Sequence, residues 1–568
     1  MMINTIKRAI EIINENGSTN QFAAARADAF CTNAAPDGAS RVATASSMAL
    51  KIPSSPAIAD WRIVERYIQR QERYYVADRA EQARSVEEIV YSLTVYIDST
   101  EDASRIGSCI NETSTNKANS YSTNSSEKVN PSEAPKKSRG EATITIFPSF
   151  SLEDCVAKIR QAVLAASKSN NPWFRLPAPS PLYVQVPTSG FEALSPKDRL
   201  ESVRSALYSV SKTSTLPFST GPTVPMNSNT NEPMTVPSAD FLAMPPKNGN
   251  SRINSLELFI SKEQRRLLNS QGIDYLSTTW RGYSEFVVEA DMPSSSSADN
   301  SADNPYSTVE LFDDIEFSEP DPERLAQSIG DRLIQVGDRA LARPMPRLSG
   351  IPLILRGKEA EEIFSWFFEN SRTEAIYSKA SPFRPGANVQ GGNENIEAEH
   401  KGNGAIIEPL DLWAEPVISG LPASAAFDSD GFPLERTLVI ENGILKTLIG
   451  SVRHADWLGV PRRGAFPLFS VSLGSMSLEE MHAFPYIEPV MFSDFRLDSM
   501  TGDFGAEVRL AYYFDGKNVI PVTGGSISGS MSTMRTTMRR TKETAMVSRS
   551  VCPIAVMLQG AIIAGARY

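Results

Sequence analysis

Histidine and cysteine side chains, which bind metals and carry nucleophilic chemistry, are few and scattered in this 568-residue sequence. The chain contains three histidines, His400, His454 and His482. Their separations exclude a local zinc motif, although residues distant in sequence can meet in a fold. The four cysteines lie far apart and form no CxxC pair: Cys31, Cys109, Cys155 and Cys552. Such thiols are typical of a reducing compartment, which favours a cytoplasmic protein.

Other motifs for catalysis are missing or weak. The sequence has no Gly-x-Ser-x-Gly nucleophile elbow and no phosphate-binding loop with its lysine. The adjacent carboxylates at 313–314 and 361–362 are typical of solvated faces. The short basic run at 535–542 is interpreted as the charged face of a helix rather than a site for an acidic partner. No local pattern therefore identifies an active site.

Two hairpin signatures are the elements that would position any site. At 508–522, apolar residues alternate with smaller or polar ones on either side of Asp515-Gly516, which favours a tight turn with positive φ angles. A second copy lies at 437–449, with Asn442-Gly443 at its tip. These hairpins predict a mainly antiparallel β region in the second half of the chain.

The second half also contains several short motifs in a fixed order. They are Phe-Asp-x-Asp-Gly at 427–431, Glu-Asn-Gly at 441–443, Thr-Gly-Asp-Phe at 501–504, Pro-Val-x-Gly at 521–524 and an apolar strand at 556–565. Together they resemble the TldD/PmbA family, which is peptidase-related and was once labelled as modulators of DNA gyrase. The resemblance implies a zinc peptidase chemistry in the catalytic branch of that family.

The resemblance places the zinc motif on the helix after the strand at 351–355. In the catalytic branch this helix carries His-Glu-x-x-x-His, in which two imidazoles hold zinc and the carboxylate takes a proton from its water. Here the corresponding positions are Ser365, Trp366 and Asn370, none of which can bind zinc as the motif requires. The helix also has a hydrophobic inner face that includes Phe364, Phe367 and Phe368. We therefore expect no catalytic residue, no metal ligand and no cofactor in this chain.

The overall charge and hydropathy exclude other classes of function. The formal net charge is −11, and Lys and Arg do not cluster with aromatic residues, which disfavours nucleic-acid binding. No run approaches 18 strongly apolar residues, so no membrane span is predicted. The first residues form a helical isoleucine stripe rather than the apolar core of a signal peptide.

The first half of the chain predicts strand–helix units interrupted by polar insertions. Strands are predicted at 61–69, 72–78, 91–98, 142–147, 255–260 and 284–290, and helices begin near 152, 196 and 322. Long insertions are predicted near 17–58, 111–140, 214–250 and 291–307. The fold class is therefore α+β, with an N-terminal α+β domain at 1–345 and a mainly antiparallel β domain at 346–568.

What the resemblance implies about function depends on the missing zinc motif. The family includes the PmbA branch, also called TldE, whose chains lack that motif and pair with a TldD-type zinc subunit that cleaves peptides. We expect this chain to be such a partner: inactive alone, lining the peptide chamber of a heteromeric metallopeptidase. The alternatives are a diverged, non-enzymatic peptide-binding or scaffold protein that forms homo-oligomers such as a homodimer, and a peptidase with unrecognised ligands. The sequence does not indicate which peptide is cut.

Overall fold

The computed structural model of the protein describes residues 1–15, 56–100, 137–210, 251–293, 308–391 and 408–566. They form an α+β fold, which confirms the predicted fold class. Two compact units are present. The first comprises Met1–Arg66, Ile89–Pro179 and Arg265–Leu276, and the second comprises Tyr67–Glu88, Ser180–Gln264 and Ser277–Tyr568. The predicted boundary between 345 and 346 lies inside the second unit and stays a prediction.

The first half of the chain contains seven strands and the first four helices of the described residues. The strands are β1 (Asp60–Val76), β2 (Arg79–Thr100), β3 (Lys137–Ile146), β4 (Asn171–Pro172), β5 (Arg252–Asn269), β6 (Asp274–Asp291) and β7 (Thr308–Phe317). The helices are α1 (2–15), α2 (Leu152–Ala166), α3 (Pro196–Ser209) and α4 (Pro322–Ala340). The sheet order is β4–β3–β2–β1–β5–β6–β7.

The strands of this sheet are longer than the sequence predicts. Residues predicted as two strands, at 61–69 and 72–78, form the single strand β1, because the intervening polar residues are paired rather than solvated: the Arg70 Nε atom lies 2.7 Å from Glu72 Oε1. Likewise, β5 and β6 extend well beyond the predicted cores at 255–260 and 284–290.

The predicted insertions lie mostly outside the described residues. One of them needs correction at its end, because Lys137–Gly140, predicted as part of the insertion at 111–140, belongs to β3. The reason is Arg139, which is buried and donates hydrogen bonds to Asp98 (2.6 Å and 2.9 Å) and to Asp60 (2.7 Å). A polar stretch is therefore held in the sheet by an ion pair that the local sequence does not show.

The core of the first unit lies between its strands and two helices. Helix α1 buries Ile6, Ile10 and Ile13, the predicted stripe, and α2 buries its apolar face on the same cluster. Helix α2 begins at the predicted capping box, in which Ser151 Oγ accepts from the Asp154 amide and Asp154 accepts from the Ser151 amide. Local sequence thus fixes where this helix begins.

The second half of the chain is built from short strands and helices. The strands are β8 (Arg343–Pro344), β9 (Leu353–Arg356), β10 (Leu412–Glu415), β11 (Thr437–Glu441), β12 (Ile444–Leu445), β13 (Leu468–Val471), β14 (Tyr486–Phe492), β15 (Arg496–Leu497), β16 (Asp503–Phe514), β17 (Val519–Thr523), β18 (Ser526–Ser530), β19 (Arg539–Arg540), β20 (Thr544–Val547), β21 (Ser550–Pro553), β22 (Ala555–Leu558) and β23 (Ile562–Ala564). The helices are α5 (Lys358–Asn370), α6 (Thr373–Tyr377), α7 (Val452–Leu458), α8 (Leu478–Met481) and α9 (Met531–Met534).

Two sheets organise this half, and most of their pairs are antiparallel. One has the order β12–β11–β10–β13–β21–β20, and the other has the path β19–β22–β9–β14–β16–β17–β8, with β15, β18 and β23 added beside it. Three pairs in them are parallel: β13 with β21, β14 with β9, and β17 with β8. The large apolar core of this half surrounds helix α5.

Both predicted hairpins are confirmed. Strands β16 and β17 pair in antiparallel register, with Phe514 opposite Val519, and Asp515 Oδ1 accepts from the amides of Lys517 and Asn518 in the turn. In the second hairpin, Glu441 pairs with Ile444 across Asn442-Gly443, whose φ angles are 49° and 77°. Among the described helices, none is long and apolar enough to span a bilayer.

Candidate functional site at helix α5

Helix α5 is held at its start by a turn and a set of ion pairs. It follows the interior strand β9 through Gly357, whose φ of 58° permits a sharp reversal. Lys358 Nζ then lies 2.8 Å from carboxylate oxygens of both Asp313 and Asp314 on β7. Although burial alone would raise the pKa of Asp313, Arg332 and Lys358 together lower it. The carboxylates at 313–314 therefore anchor α5, which corrects their prediction as a solvated face.

One side of α5 packs against aromatic rings and a tight turn. The Trp366 ring meets Phe367 and Phe383 edge-on at centroid distances of 5.0 Å. Asn370 Nδ2 donates to the Ser499 carbonyl at 2.7 Å and, within the helix, to the Trp366 carbonyl at 2.9 Å. A side chain at Gly502 would place its Cβ 3.1 Å from the Trp366 ring. We call this surface, made by Trp366, Phe383, Asn370 and Gly502, the aromatic face of α5.

The other side of α5 carries three polar residues at a spacing of four: Glu361, Ser365 and Glu369. All three contact Arg549, which lies between β20 and β21. The Arg549 guanidinium lies 2.7 Å from Glu369 Oε1 and 3.6 Å from Glu361 Oε1, and it donates to Ser365 Oγ. We call this surface, made by these three residues and Arg549, the polar face of α5.

The two carboxylates of the polar face have opposite pKa shifts. Burial raises the pKa of Glu361 to about 7, against the opposing effect of Arg549. Burial also acts on Glu369, but Arg372 and Arg549 outweigh it and lower the pKa of that carboxyl. Arg549 is therefore matched by one fully ionised carboxylate and one that titrates near neutrality.

The predicted zinc-motif positions do not converge on one point. Ser365 belongs to the polar face and is bonded to Arg549, whereas Trp366 and Asn370 belong to the aromatic face. A hydroxyl, an indole and an amide that already bonds two carbonyls are not a zinc donor set. Within the described ranges, no three His, Cys, Asp or Glu side chains form a group that could hold a metal ion. The residues of α5 do not fit the zinc site of a metallopeptidase.

The histidines do not assemble a substitute within the described part of the chain. His400 lies outside the described residues. His454 lies on α7, where its Nδ1 is 2.7 Å from Ser451 Oγ and its ring packs beside Trp457 and Tyr377. His482 caps the end of α8 as predicted, hydrogen-bonds Glu488 and stacks on Tyr486. His454 and His482 therefore each have a local packing role.

The basic run at 535–542 is not the helix face that the sequence predicts. It leaves α9 at Arg535, turns, and enters β19, where Arg540 is buried and donates to the carbonyls of Ser472 (2.8 Å) and Pro409 (2.7 Å). Sequence reasoning also missed Arg549, whose partners lie some 180 residues upstream. The spacing of Glu361, Ser365 and Glu369 was the one available signal for a shared polar contact.

Comparisons with known proteins bear on this fold and helix. Residues 349–565 match the family model described as PmbA/TldA metallopeptidase C-terminal domain. A curated relative, the uncharacterized protein MJ0231 of Methanocaldococcus jannaschii, is 26% identical over 123 residues, which cover 20% of this chain and only 29% of that relative. The fold and the matched domain define a metallopeptidase-related protein. Residues 349–565 thus carry the C-terminal domain of the TldD/PmbA family.

Solved structures share the fold at low sequence identity. A Thermotoga maritima protein described as a modulator of DNA gyrase, TM0727, has a TM-score of 0.59 at 14% identity, over 89% of this chain and 96% of its own. TldE from Thermococcus kodakarensis has a TM-score of 0.58 at 14% identity, over 90% and 97%. A Bacteroides thetaiotaomicron protein, BT3649, has a TM-score of 0.60 at 12% identity, over 89% and 95%. At such identities the likeness extends to the fold alone.

Proposed function

We propose that this chain is the non-zinc-binding subunit of a heteromeric TldD/PmbA-type metallopeptidase. A TldD-type subunit would hold the zinc ion and cleave peptides, while this chain would line the peptide chamber and stabilise the active partner. The observation that best supports this proposal is that the three motif positions already make other contacts. Ser365, Trp366 and Asn370 each have a packing or hydrogen-bonding role. The fold likeness to a TldE protein is in keeping with it.

The thiols and the surface charge support the proposed setting. Both cysteines in the described residues, Cys155 and Cys552, are free and buried, and burial raises the pKa of the Cys552 thiol to about 12. Such thiols are unreactive, which suits a reducing compartment, and we place the complex in the cytoplasm. The acidic net charge favours a peptide rather than a nucleic acid as the substrate.

The experiment that tests the pairing mixes this chain with a TldD-type relative that has an intact zinc motif. Peptide hydrolysis should be absent from this chain alone, appear with the relative, and saturate near equal amounts of the two. Full activity of the relative alone, with no complex on gel filtration, would instead favour the homo-oligomeric scaffold.

Two controls address the zinc directly. Elemental analysis of the purified chain should find no stoichiometric zinc; about one zinc per chain, lost in His454→Ala or His482→Ala, would overturn the proposal. Replacing Ser365, Trp366 and Asn370 together by His, Glu and His should not create activity, because the buried Phe364, Phe367 and Phe368 fill the space that a substrate would need.

A further inference from the structure

Arg535 is a half-buried arginine on the aromatic face of α5, and in the described part of the chain it has no acidic partner. Its guanidinium carbon lies 5.7 Å from the centroid of the Trp366 ring, within the range of a cation–π contact. Its Nε atom is buried and makes no hydrogen bond. No ion pair and no side-chain hydrogen bond of this guanidinium occurs among the described residues.

The other arginines packed on α5 are neutralised. Arg372 Nε lies 2.5 Å from Glu369 Oε2, and Arg549 Nη1 lies 2.7 Å from Glu369 Oε1. Burial lowers the pKa of Arg535, and no neighbouring carboxylate opposes that effect. A desolvated charge without a partner is unfavourable in a folded protein. Among the described residues, therefore, this cation has no anion beside it.

A glycine lies beside the guanidinium of Arg535. A Cβ added at Gly391 would lie 3.3 Å from Arg535 Nε and 3.0 Å from the Thr536 methyl group, so any side chain there would crowd the guanidinium. The indole Nε1 of Trp366 is a second buried donor without an acceptor. An aromatic platform, a glycine and an unmatched guanidinium form a setting for a planar anion, because a guanidinium can bind a carboxylate through two parallel hydrogen bonds.

We propose that Arg535 binds a carboxylate group of a peptide, either its C-terminal carboxylate or the side chain of an Asp or Glu. Trp366 packs against the guanidinium, and the lack of a side chain at Gly391 avoids crowding it. The inference rests on the proposed function in one respect, because the peptide is the substrate class of the proposed complex. It assigns Trp366 a new role: the position that carries the motif glutamate in the catalytic branch here supports a binding residue.

Binding is tested on this chain alone with three fluorescein-labelled peptides of about fifteen residues. The first has a free C-terminus and no acidic residue, the second is the same peptide amidated, and the third is the amidated peptide with one internal Glu. Fluorescence anisotropy should show tighter binding of the first or the third peptide than of the second. The first identifies the terminus as the source of the carboxylate and the third identifies the side chain. Equal binding of all three, or binding of none, would overturn the inference.

Variants then assign the preference to Arg535. Arg535→Gln should weaken the preferred peptide about tenfold or more and leave the amidated, acid-free peptide unchanged, since about 1.4 kcal/mol corresponds to tenfold. Arg535→Lys should keep part of the preference, because the charge remains but the bidentate geometry is lost. Arg539→Gln is the matched control: it removes the same charge four residues away and should change no peptide. An equal loss in Arg539→Gln would mean that only net charge matters.

The inference and the proposed function fail separately. If peptide hydrolysis with a zinc-bearing relative is normal but the carboxylate preference is absent, the Arg535 site alone is wrong. If the preference is present and depends on Arg535 but no relative supports hydrolysis, the subunit role alone is wrong. Thermal unfolding of Arg535→Gln shows in either case that the variant is folded.

Discussion

The two faces of helix α5 handle positive charge in opposite ways. On the polar face, Arg549 is surrounded by Glu361, Ser365 and Glu369, so the cation and its partners stabilise each other. On the aromatic face, Arg535 lies over Trp366, and no carboxylate of the described residues is in reach. Helix α5 thus serves structure on one side and, as we propose, recognition on the other.

The comparison also shows how tightly both faces of α5 are packed. Ser365 and Asn370 are buried, and both make hydrogen bonds to distant segments: to Arg549 and to the Ser499 carbonyl. Trp366 fills the space between α5 and Phe383. These roles in packing support our proposal that another subunit holds the zinc.

The largest effect is expected from Arg549→Gln. Removing this guanidinium leaves Glu369 with one of its two cationic partners and Glu361 with none, so the free energy of unfolding should fall by roughly 2–3 kcal/mol. Urea denaturation measures it. The control Arg496→Gln breaks an exposed pair with Asp494 and should change stability by less than about 0.5 kcal/mol. Equal effects of the two variants would mean that the contacts of the polar face contribute no measurable free energy of unfolding.

A smaller effect is expected on the pH dependence of the free energy of unfolding. Because burial raises the pKa of Glu361 to about 7 from 4.5, the folded protein retains a proton that the unfolded chain releases near pH 4.5. This contribution is fully present below that pH and is lost as the pH rises to about 7. The free energy of unfolding should therefore decrease between about pH 5 and 7.5. Glu361→Gln should make this decrease smaller by about 1–2 kcal/mol. Glu435→Gln, at an exposed position, should leave the pH profile as it is.

Gly502→Ala tests how tightly the turn at Gly502 packs on the aromatic face. Gly502 has a φ of 75°, and an added Cβ would lie 3.1 Å from the Trp366 ring and from the Met531 Cβ. Gly516→Ala carries the same kind of backbone strain at a φ of 96°, but its Cβ would meet only Pro485 at an ordinary 3.6 Å. The first variant should be less stable than the second by about 1 kcal/mol in thermal unfolding. Equal stability of the two variants would mean that the turn at Gly502 accommodates a Cβ without a measurable free-energy cost.

The smallest expected effect is that of Arg535→Gln on stability. Because this desolvated cation has no partner among the described residues, its removal should leave the free energy of unfolding within about 0.5 kcal/mol of the parent, or raise it slightly. The measurement is urea denaturation beside Arg549→Gln. A loss as large as that of Arg549→Gln would reveal an internal partner for Arg535 and break the contrast between the two faces.

The sequence predicts best where the cause of a structure is local. The two hairpins are recognisable because Asp515-Gly516 and Asn442-Gly443 favour the positive φ angles that tight turns require. The start of α2 is recognisable because Ser151 and Asp154 satisfy each other three residues apart. In each case the stabilising partner lies within the same short stretch of chain.

The sequence predicts poorly where partners are distant. Arg549 contacts residues of α5 some 180 positions upstream. Their spacing of four places them on one side of the helix but does not indicate which distant residue they meet. The same holds for Asp313. Its sequence neighbours predict a solvated carboxylate, whereas in the structure it pairs with Lys358 and Arg332. Burial of charge is decided by tertiary neighbours, so candidate sites that depend on it emerge only from the structure.

The Arg139 ion pairs have a consequence for how the first unit folds. Asp60 accepts a hydrogen bond from Arg139 and also from Ser270 and Gln271, which follow it by 210 and 211 residues. These contacts cannot form on the ribosome until the chain has been synthesised past residue 271. Closing so long a loop carries an entropic penalty before the contacts repay it, and folding slows as contacts become less local. The first unit, although it begins the chain, is therefore completed late.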